Sequence, residues 1–324
     1  MTDISATAVL ITGAAGFIGS HLCSKLIKSE ISVIGLDNLQ TGRLINIHPL
    51  LQDPYFKFIH GDIRDLDHVN SIIQKEKIDM IFHQAALPSV PRSIEAPLST
   101  HQANVDGTLN LLLASKNAKV KRFIYASSSS VYGSSEKNPK TEAMPTQPIS
   151  PYAASKLAGE HYCKVFSTSY GLETVSLRYF NVFGPCQAIS QYSGVISIFL
   201  DSMLMNRPYQ IFGDGEQSRD FTYVDNVVEA NILAAQVPDA AGETFNIACG
   251  ERTTINILEK TLADICQIKD QKAKYSPSRK GDVRHSLADI SKAREILNYS
   301  PSVRMREGLE QTKEWFSRQL AYNV

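Results

Sequence analysis

Over the first 180 residues, short runs of consecutive apolar side chains alternate with longer stretches whose apolar positions recur at helical spacing. Val9-Leu10-Ile11 is a run of the first kind and reads as a buried strand. Ser20–Lys28 is of the second kind and places Leu22, Leu26 and Ile27 on one helix face. The same reading predicts strands at Ser32–Leu36, Phe56–His60, Met80–His83, Arg122–Tyr125 and Thr174–Arg178, and helices at Leu66–Lys75, Asn104–Ala118 and Pro151–Tyr170. Strands separated by helices make βαβ units and a parallel sheet covered on both faces, so the expected fold is a doubly wound α/β fold of the Rossmann type. Residues 1–180 are expected to form this nucleotide-binding domain.

Beyond residue 180 the rhythm loosens. Helical patterns at Val195–Asn206, Val224–Ala235, Ile255–Ile265, Ile290–Leu297 and Arg306–Arg318 are separated by turn-rich pieces such as Phe212-Gly213-Asp214-Gly215. Residues 181–324 read as a smaller C-terminal substrate lobe, with 224–235 a candidate to return and pack on the first domain.

Composition narrows the classes. With 43% hydrophobic and 20% charged residues the chain is an ordinary globular one, and Lys+Arg 33 balance Asp+Glu 33. Zero net charge gives no electrostatic ground for nucleic acid or an anionic membrane as partner. The Cys residues at 23, 163, 186, 249 and 266 show no metal-ligand spacing and read as thiols of a reducing compartment, with no metal expected. Ala6–Gly19 is largely apolar, but no Lys or Arg precedes it and Gly13, Gly16 and Gly19 interrupt it, so it does not read as a secretory leader. A cytoplasmic, soluble protein is expected.

The glycines follow the first strand and open the first helix. Without side chains they let the backbone turn tightly and approach a pyrophosphate at the positive helix end. Asp37 closes the second strand 18 residues after Gly19, where a carboxylate binds ribose hydroxyls and repels a 2′-phosphate; this favours NAD over NADP. Asp62-Ile63 after the third strand suits either the adenine edge or a cap on the next helix. His83-Gln84-Ala85-Ala86 closes the fourth strand with small residues fit for close cofactor passage, and His83 reads as a packed histidine without a chemical role.

Tyr152 and Lys156 stand four apart after Ser150-Pro151, a helix start, which stacks phenol and ammonium on one face. A phenol titrates near ~10 and is a poor base at neutral pH; a neighbouring ammonium favours the phenolate. Upstream, Ser127–Ser130 end a strand with hydroxyls able to meet a substrate oxygen.

These motifs, with GAAGFIG, HQAA, SSSSVYG, SPYAASK, RYFNVFGP, GDGEQSRDFTYVDNV and GDVRHSLADISKA, run across nearly the whole chain. It resembles the extended short-chain dehydrogenase/reductase superfamily, and within it the nucleotide-sugar epimerases. The resemblance implies Tyr152 as general base and acid, Lys156 as its partner, and Ser128, four before Tyr132, as the catalytic hydroxyl, with Ser127 close beside it. It sets Gly13, Gly16, Phe17, Ile18, Gly19, Asp37, Asn38, Asp62, Ile63, Gln84, Ala85, Ala86, Asn104, Tyr152, Lys156 and Tyr179 against NAD. It sets Ser128, Asn181, Val195, Phe212, Arg219, Arg279, Asp282 and Ser286 against a UDP-sugar, Arg219 and Arg279 on the diphosphate. Arg219-Asp220 also reads as a local ion pair, and Arg279 as a solvated charge. It further implies a homodimer through the Tyr152 helix.

Four readings compete. Dehydration in this family uses an acid beside the catalytic hydroxyl, whereas here Ser129-Ser130 follow Ser128. Decarboxylation or epimerisation of a uronic acid fits less well, because Tyr179–Gly184 (YFNVFG) matches neutral-sugar epimerases. An NAD-binding scaffold leaves the intact Ser128, Tyr152 and Lys156 unexplained. The expectation is 4-epimerisation of a UDP-hexose through a transient 4-keto sugar. Ser286 falls at a size gate where glucose-restricted relatives place Tyr, and Pro88 where they carry Lys. Ser286 also reads as a cap for the helix near Asp289. UDP-GlcNAc and UDP-GalNAc are the expected pair, with some UDP-Glc/UDP-Gal activity.

Overall fold

The sequence VLIT at Val9–Thr12 is buried at every position, as a strand covered on both faces must be. In the computed structural model, which describes residue 4 and residues 6–187, 194–269, 273–278 and 283–322, this is β1. The other strands of its sheet are β2 (Val33–Asp37), β3 (Phe56–His60), β4 (Met80–His83), β5 (Arg122–Ser128), β6 (Glu173–Tyr179) and β7 (Thr244–Ile247). They lie in the order β3-β2-β1-β4-β5-β6-β7, all parallel. The order reverses between β1 and β4, which opens a crevice at the carboxyl ends of those strands.

The named helices are α1 (Phe17–Ile27), α2 (Leu66–Lys75), α3 (Gly107–Ala118), α4 (Pro151–Tyr170), α5 (Val195–Leu204), α6 (Val224–Gln236), α7 (Ile255–Ile265), α8 (Ser291–Leu297) and α9 (Met305–Tyr322). Leu10, Ile34, Ile81 and Phe123 point to one sheet face and meet Val69 and Ile72 of α2, Leu111 of α3 and Phe166 of α4. Their neighbours Val9, Ile11, Phe82 and Ile124 point to the other face, against Leu22 and Leu26 of α1 and Val227 of α6. This second core continues into Phe199, Leu258 and Leu309, so the later helices share it. Each such side chain contributes about 1.5–3 kcal/mol by leaving water.

Three features differ from the sequence reading. β5 runs on to Ser128, because β6 keeps pairing with it at Ser127↔Arg178 and Ser128↔Tyr179. The helix expected from Asn104 begins as a π turn at Gln102–Asp106, and α3 proper starts at Gly107. Finally, Thr244–Ile247, where the sequence pattern predicts no strand, joins the edge of the main sheet, while 224–235 packs on the first domain as expected. α6 packs on α1 and β5, and β7 pairs along β6, covering an edge that would otherwise expose its backbone groups. No described helix is long and apolar enough to cross a membrane.

Candidate active site

The glycine loop is closed by contacts that exclude a side chain. Gly13 has φ +72°, and a Cβ there would lie 2.7 Å from the Ala85 nitrogen; at Gly19 it would lie 2.0 Å from the Gly13 carbonyl oxygen. No side chain caps the α1 end that follows, which suits an anion there. Across the crevice, the buried Asp37 carboxylate accepts the Ala15 N–H at 3.0 Å and the Leu39 N–H at 2.7 Å. Burial pushes this carboxyl up, against the pull of those two amides. A helix end lacking a cap, a cradle that a Cβ would fill and a fixed carboxylate at the end of β2 fit the pyrophosphate and ribose of NAD. Gly19→Ala is expected to spread the loop. With overpacking worth about 1–3 kcal/mol, NAD affinity by calorimetry should drop roughly tenfold or more, and an unchanged affinity would show that the loop is not the cradle.

Asp62 accepts the Asn38 amide at 2.7 Å and a two-nitrogen contact from Arg64 at 3.0 and 2.7 Å. The Arg64 bond is the main reason its carboxyl is held down to about 2. The cap of α2 is Asp65, which accepts the His68 N–H, so Asp62 has no capping duty. Ile63 packs against Gly107, where a Cβ would come within 2.6 Å of its side chain.

At the end of β4, Gln84 and Ala85 bond back to Thr12, and Ala86 follows partly buried. The Gln84 side chain donates to Asn231 of α6 at 2.9 Å, and the Tyr179 hydroxyl lies within 3.2 Å of Gln84 and 2.9 Å of the Asn231 amide. Side chains read as cofactor contacts are thus engaged with α6. Asn231, an amide inside an apolar helix, was not among the expected residues, and its isolation in that pattern was its one signal. His83 is buried between the hydroxyls of Thr12 (2.7 Å) and Thr108 (2.8 Å), and burial holds its pKa well below the usual value. Asn104 sits buried in the π turn, accepts the Leu87 N–H at 2.8 Å and donates to Ser155 at 3.0 Å. It joins the loop after β4 to α4, and such turns recur at functional sites.

Ser150 caps α4 by accepting the Ala153 N–H, and Pro151 supplies the first helical residue. This sets Tyr152 in the first turn, with Lys156 one turn further on. The Lys156 ammonium is buried, donates to the Ala126 carbonyl at 2.8 Å and lies 5.1 Å from the centre of the Tyr125 ring. Burial lowers its pKa to about 8, opposed by Cys163 and Glu160. Burial raises the Tyr152 phenol, whereas a hydrogen bond with the Ser128 side chain lowers it. Ser128 Oγ accepts from the Ser130 N–H (3.2 Å) and the Ser130 hydroxyl (3.0 Å), which leaves its own proton for the phenol. Ser127 instead donates to Glu160, a residue not singled out in the sequence.

The remaining candidates lie in the later segments. Asn181 adopts φ 36° and donates to the Asp220 carbonyl at 3.4 Å. Val195 opens α5, and Phe212 ends the strand Tyr209–Phe212. Arg219 donates to the carbonyls of Ser218 (2.9 Å) and Arg284 (3.3 Å). Its neighbour Asp220 is fully buried and accepts the amides of Cys249 and Gly250 at 3.0 Å and of Ala288 at 3.3 Å; burial pushes its carboxyl up to about 6. The carboxylate of Asp220 therefore serves the backbone of the neighbouring loops. Ser286 is partly buried, and its N–H bonds to the Ser218 carbonyl at 3.0 Å. It caps nothing: α8 begins at Ser291, whose N–H bonds to the Asp289 carboxylate at 2.8 Å. Pro88 is exposed after β4, and Arg279 and Asp282 lie outside the described residues. Among the described residues, no group of three or more His, Cys, Asp or Glu is placed to hold a metal.

Comparison with known proteins gives the family of the chain. A UDP-glucose 4-epimerase from Mycolicibacterium smegmatis is 39% identical over 308 residues, 95% of this chain and 97% of its own. The crystal structure of UDP-glucose 4-epimerase from Thermotoga maritima, with UDP-glucose, is 40% identical with a TM-score of 0.91 over 97% of this chain and 99% of its own. The UDP-N-acetylglucosamine 4-epimerase of Methanobrevibacter ruminantium, in complex with UDP-N-acetylmuramic acid, gives the same identity, 40%, and the same TM-score, 0.91, over 97% of this chain and 99% of its own. Residues 9–248 match the NAD dependent epimerase/dehydratase family, and the chain belongs to it.

Proposed function

We propose that the chain is a UDP-hexose 4-epimerase that interconverts UDP-GlcNAc and UDP-GalNAc and has some activity on UDP-Glc and UDP-Gal. The observation that carries this reading is the meeting of Ser128, Tyr152 and Lys156 at the carboxyl end of β5, with no carboxylate in the serine run. Tyr152 takes the proton of the sugar 4-hydroxyl and later returns it. Ser128, its oxygen already holding Ser130, donates to the phenol oxygen and favours the phenolate. Lys156 supplies positive charge on the same helix face. NAD, when bound, supplies the hydride acceptor and donor at sugar C4. Dehydration needs an acid beside Ser128; the nearby Glu160 is buried and paired with Arg178. Incubating the protein separately with UDP-GlcNAc, UDP-Glc and UDP-GlcA, and identifying products by NMR, tests the reading. Conversion of UDP-GlcA alone would replace it.

Asp37 carries the cofactor preference. A 2′-phosphate would meet a carboxylate already fixed by two amides, and like charges so placed repel. Stripped protein should bind NAD at least ~10-fold more tightly than NADP by calorimetry, since an unrelieved charge clash costs more than the ~1.4 kcal/mol of one decade. Equal or tighter NADP binding would overturn the assignment.

The homodimer belongs to the same reading. Val165 on α4 is 48% exposed, and Ile94 and Leu98, in short helices packed on α4, are 64% and 68% exposed. Light scattering in solution reads the mass directly.

A further inference from the structure

We infer that Glu160 and Arg178, acting through Ser127, form a positioning element that decides which hydroxyl of the serine run meets Tyr152. The inference rests on the epimerase reading for its kinetics but not for its geometry. Successive strand residues point to opposite faces, so Ser127 and Ser128 cannot both face the same partner. Ser127 and Arg178 are register partners across β5 and β6, on the face covered by α4. Glu160 projects onto that face one turn beyond Lys156. It accepts two nitrogens of Arg178 at 2.9 and 2.7 Å and the hydroxyl of Ser127. Both members of the ion pair are buried, with 7% and 6% of their surfaces exposed. Arg178 in turn donates to the Tyr132 hydroxyl at 2.9 Å, and Tyr132 donates to Asn246 of β7 at 2.6 Å.

The end of β5 is therefore fastened at Ser127, one residue before the hydroxyl that meets the phenol. Desolvation offsets most of what a buried pair of this kind contributes to stability. Its value lies in fixing a geometry. With Ser127 tied down, the strand turns so that Ser128 is presented to the phenol and backed by Ser130. Glu160 is also the carboxylate facing Lys156 from its own helix, where Cys163 lies as well. The Tyr125 ring of β5 packs on the ammonium, and His83 of β4 is within its electrostatic reach.

Ser127→Ala removes the tie and leaves Glu160 paired with Arg178, and Ser127→Thr keeps the hydroxyl. Two readouts are needed on the NAD-loaded protein. The first is kcat and KM for UDP-GlcNAc. The second is the carbon-13 shift of Tyr152 Cζ, identified by its loss in Tyr152→Phe. Ser127→Ala should lower kcat about tenfold at unchanged KM, as expected for a displaced catalytic contact, and should move the Cζ shift toward its value in Ser128→Ala. Ser127→Thr should restore both. A Cζ shift that stays at the wild-type value in Ser127→Ala overturns the inference, even if kcat falls, because the loss would then not pass through the Ser128–Tyr152 contact. If wild type converts no UDP-hexose, the epimerase reading fails and the Cζ shift still decides this one.

Discussion

Tyr152→Phe is expected to lower epimerase turnover by ~10²–10⁴-fold, the usual contribution of a positioned acid–base group, while NAD and UDP-sugar still bind. The phenylalanine ring fills the same space at the start of α4, so the cap by Ser150 and the packing of the first turn persist. What is lost is the oxygen that Ser128 contacts. In wild type that oxygen works against its surroundings, since burial raises the phenol and favours the protonated form. Only groups that favour the phenolate make it a base at neutral pH, and Lys156, one turn further along α4, is the cation we assign to this. Burial depresses the Lys156 pKa to about 8, so its charge is complete below that pH and disappears as pH rises through it. Wild-type kcat should therefore decline above pH ~8, as the phenolate loses its support. Near-normal turnover in the phenylalanine variant, measured with NAD bound, would place the base on another residue.

Much of this arrangement is legible in the sequence, because the local signals agree with the global fold. The patterns at Phe56–His60, Leu66–Lys75, Met80–His83, Pro151–Tyr170 and Ile255–Ile265 reappear as elements with those bounds. Each combines a clear period with punctuation: Ser150-Pro151 opens α4, and Gly171 at φ +71° closes it. β7 escapes that logic. Thr-Phe-Asn-Ile is too short to show a period, and Asn246 interrupts it; the strand exists because β6 offers an edge in register. The site divides in the same way. Gly13, Asp37, Tyr152 and Lys156 are assigned on residue type and spacing, so they can be proposed from one dimension. Glu160, Arg178, Asn231 and Asp220 acquire meaning only from partners far away in the chain, and for them the sequence offers little beyond a polar side chain in an apolar stretch. The choice between Ser127 and Ser128 is of this second kind, since it depends on which face of β5 meets Glu160.

Ser286→Tyr should abolish conversion of UDP-GlcNAc and spare UDP-Glc. The argument begins with how firmly this wall is held. Ser218 bonds to the Arg284 carbonyl at 2.9 Å, and Ser286 bonds back to the Ser218 carbonyl at 3.0 Å. On the other side, Lys140 bonds to the Leu287 carbonyl and Asp289 to the Lys140 carbonyl, both at 2.8 Å, and the buried Asp220 carboxylate accepts the Ala288 N–H. His285 is clasped by Ser218 at 2.9 Å and Arg252 at 3.0 Å. A segment tied at every residue cannot drift outward to accommodate a phenol, so the added ring must take its volume from the space beside it. If that space receives the substituent at the sugar 2-position, an acetamido group is excluded while a hydroxyl still fits. The discrimination should reach at least ~10²-fold in kcat/KM, because a steric clash in a close-packed wall is more severe than a missing methylene. The comparison is internal to each protein: the ratio of kcat/KM for UDP-GlcNAc to that for UDP-Glc, in wild type and in the variant, with NAD retained in both. A ratio unchanged by the tyrosine, or a wild type that converts only UDP-Glc, would remove Ser286 from the sugar pocket and leave its segment as a strut between Lys140 and Asp220.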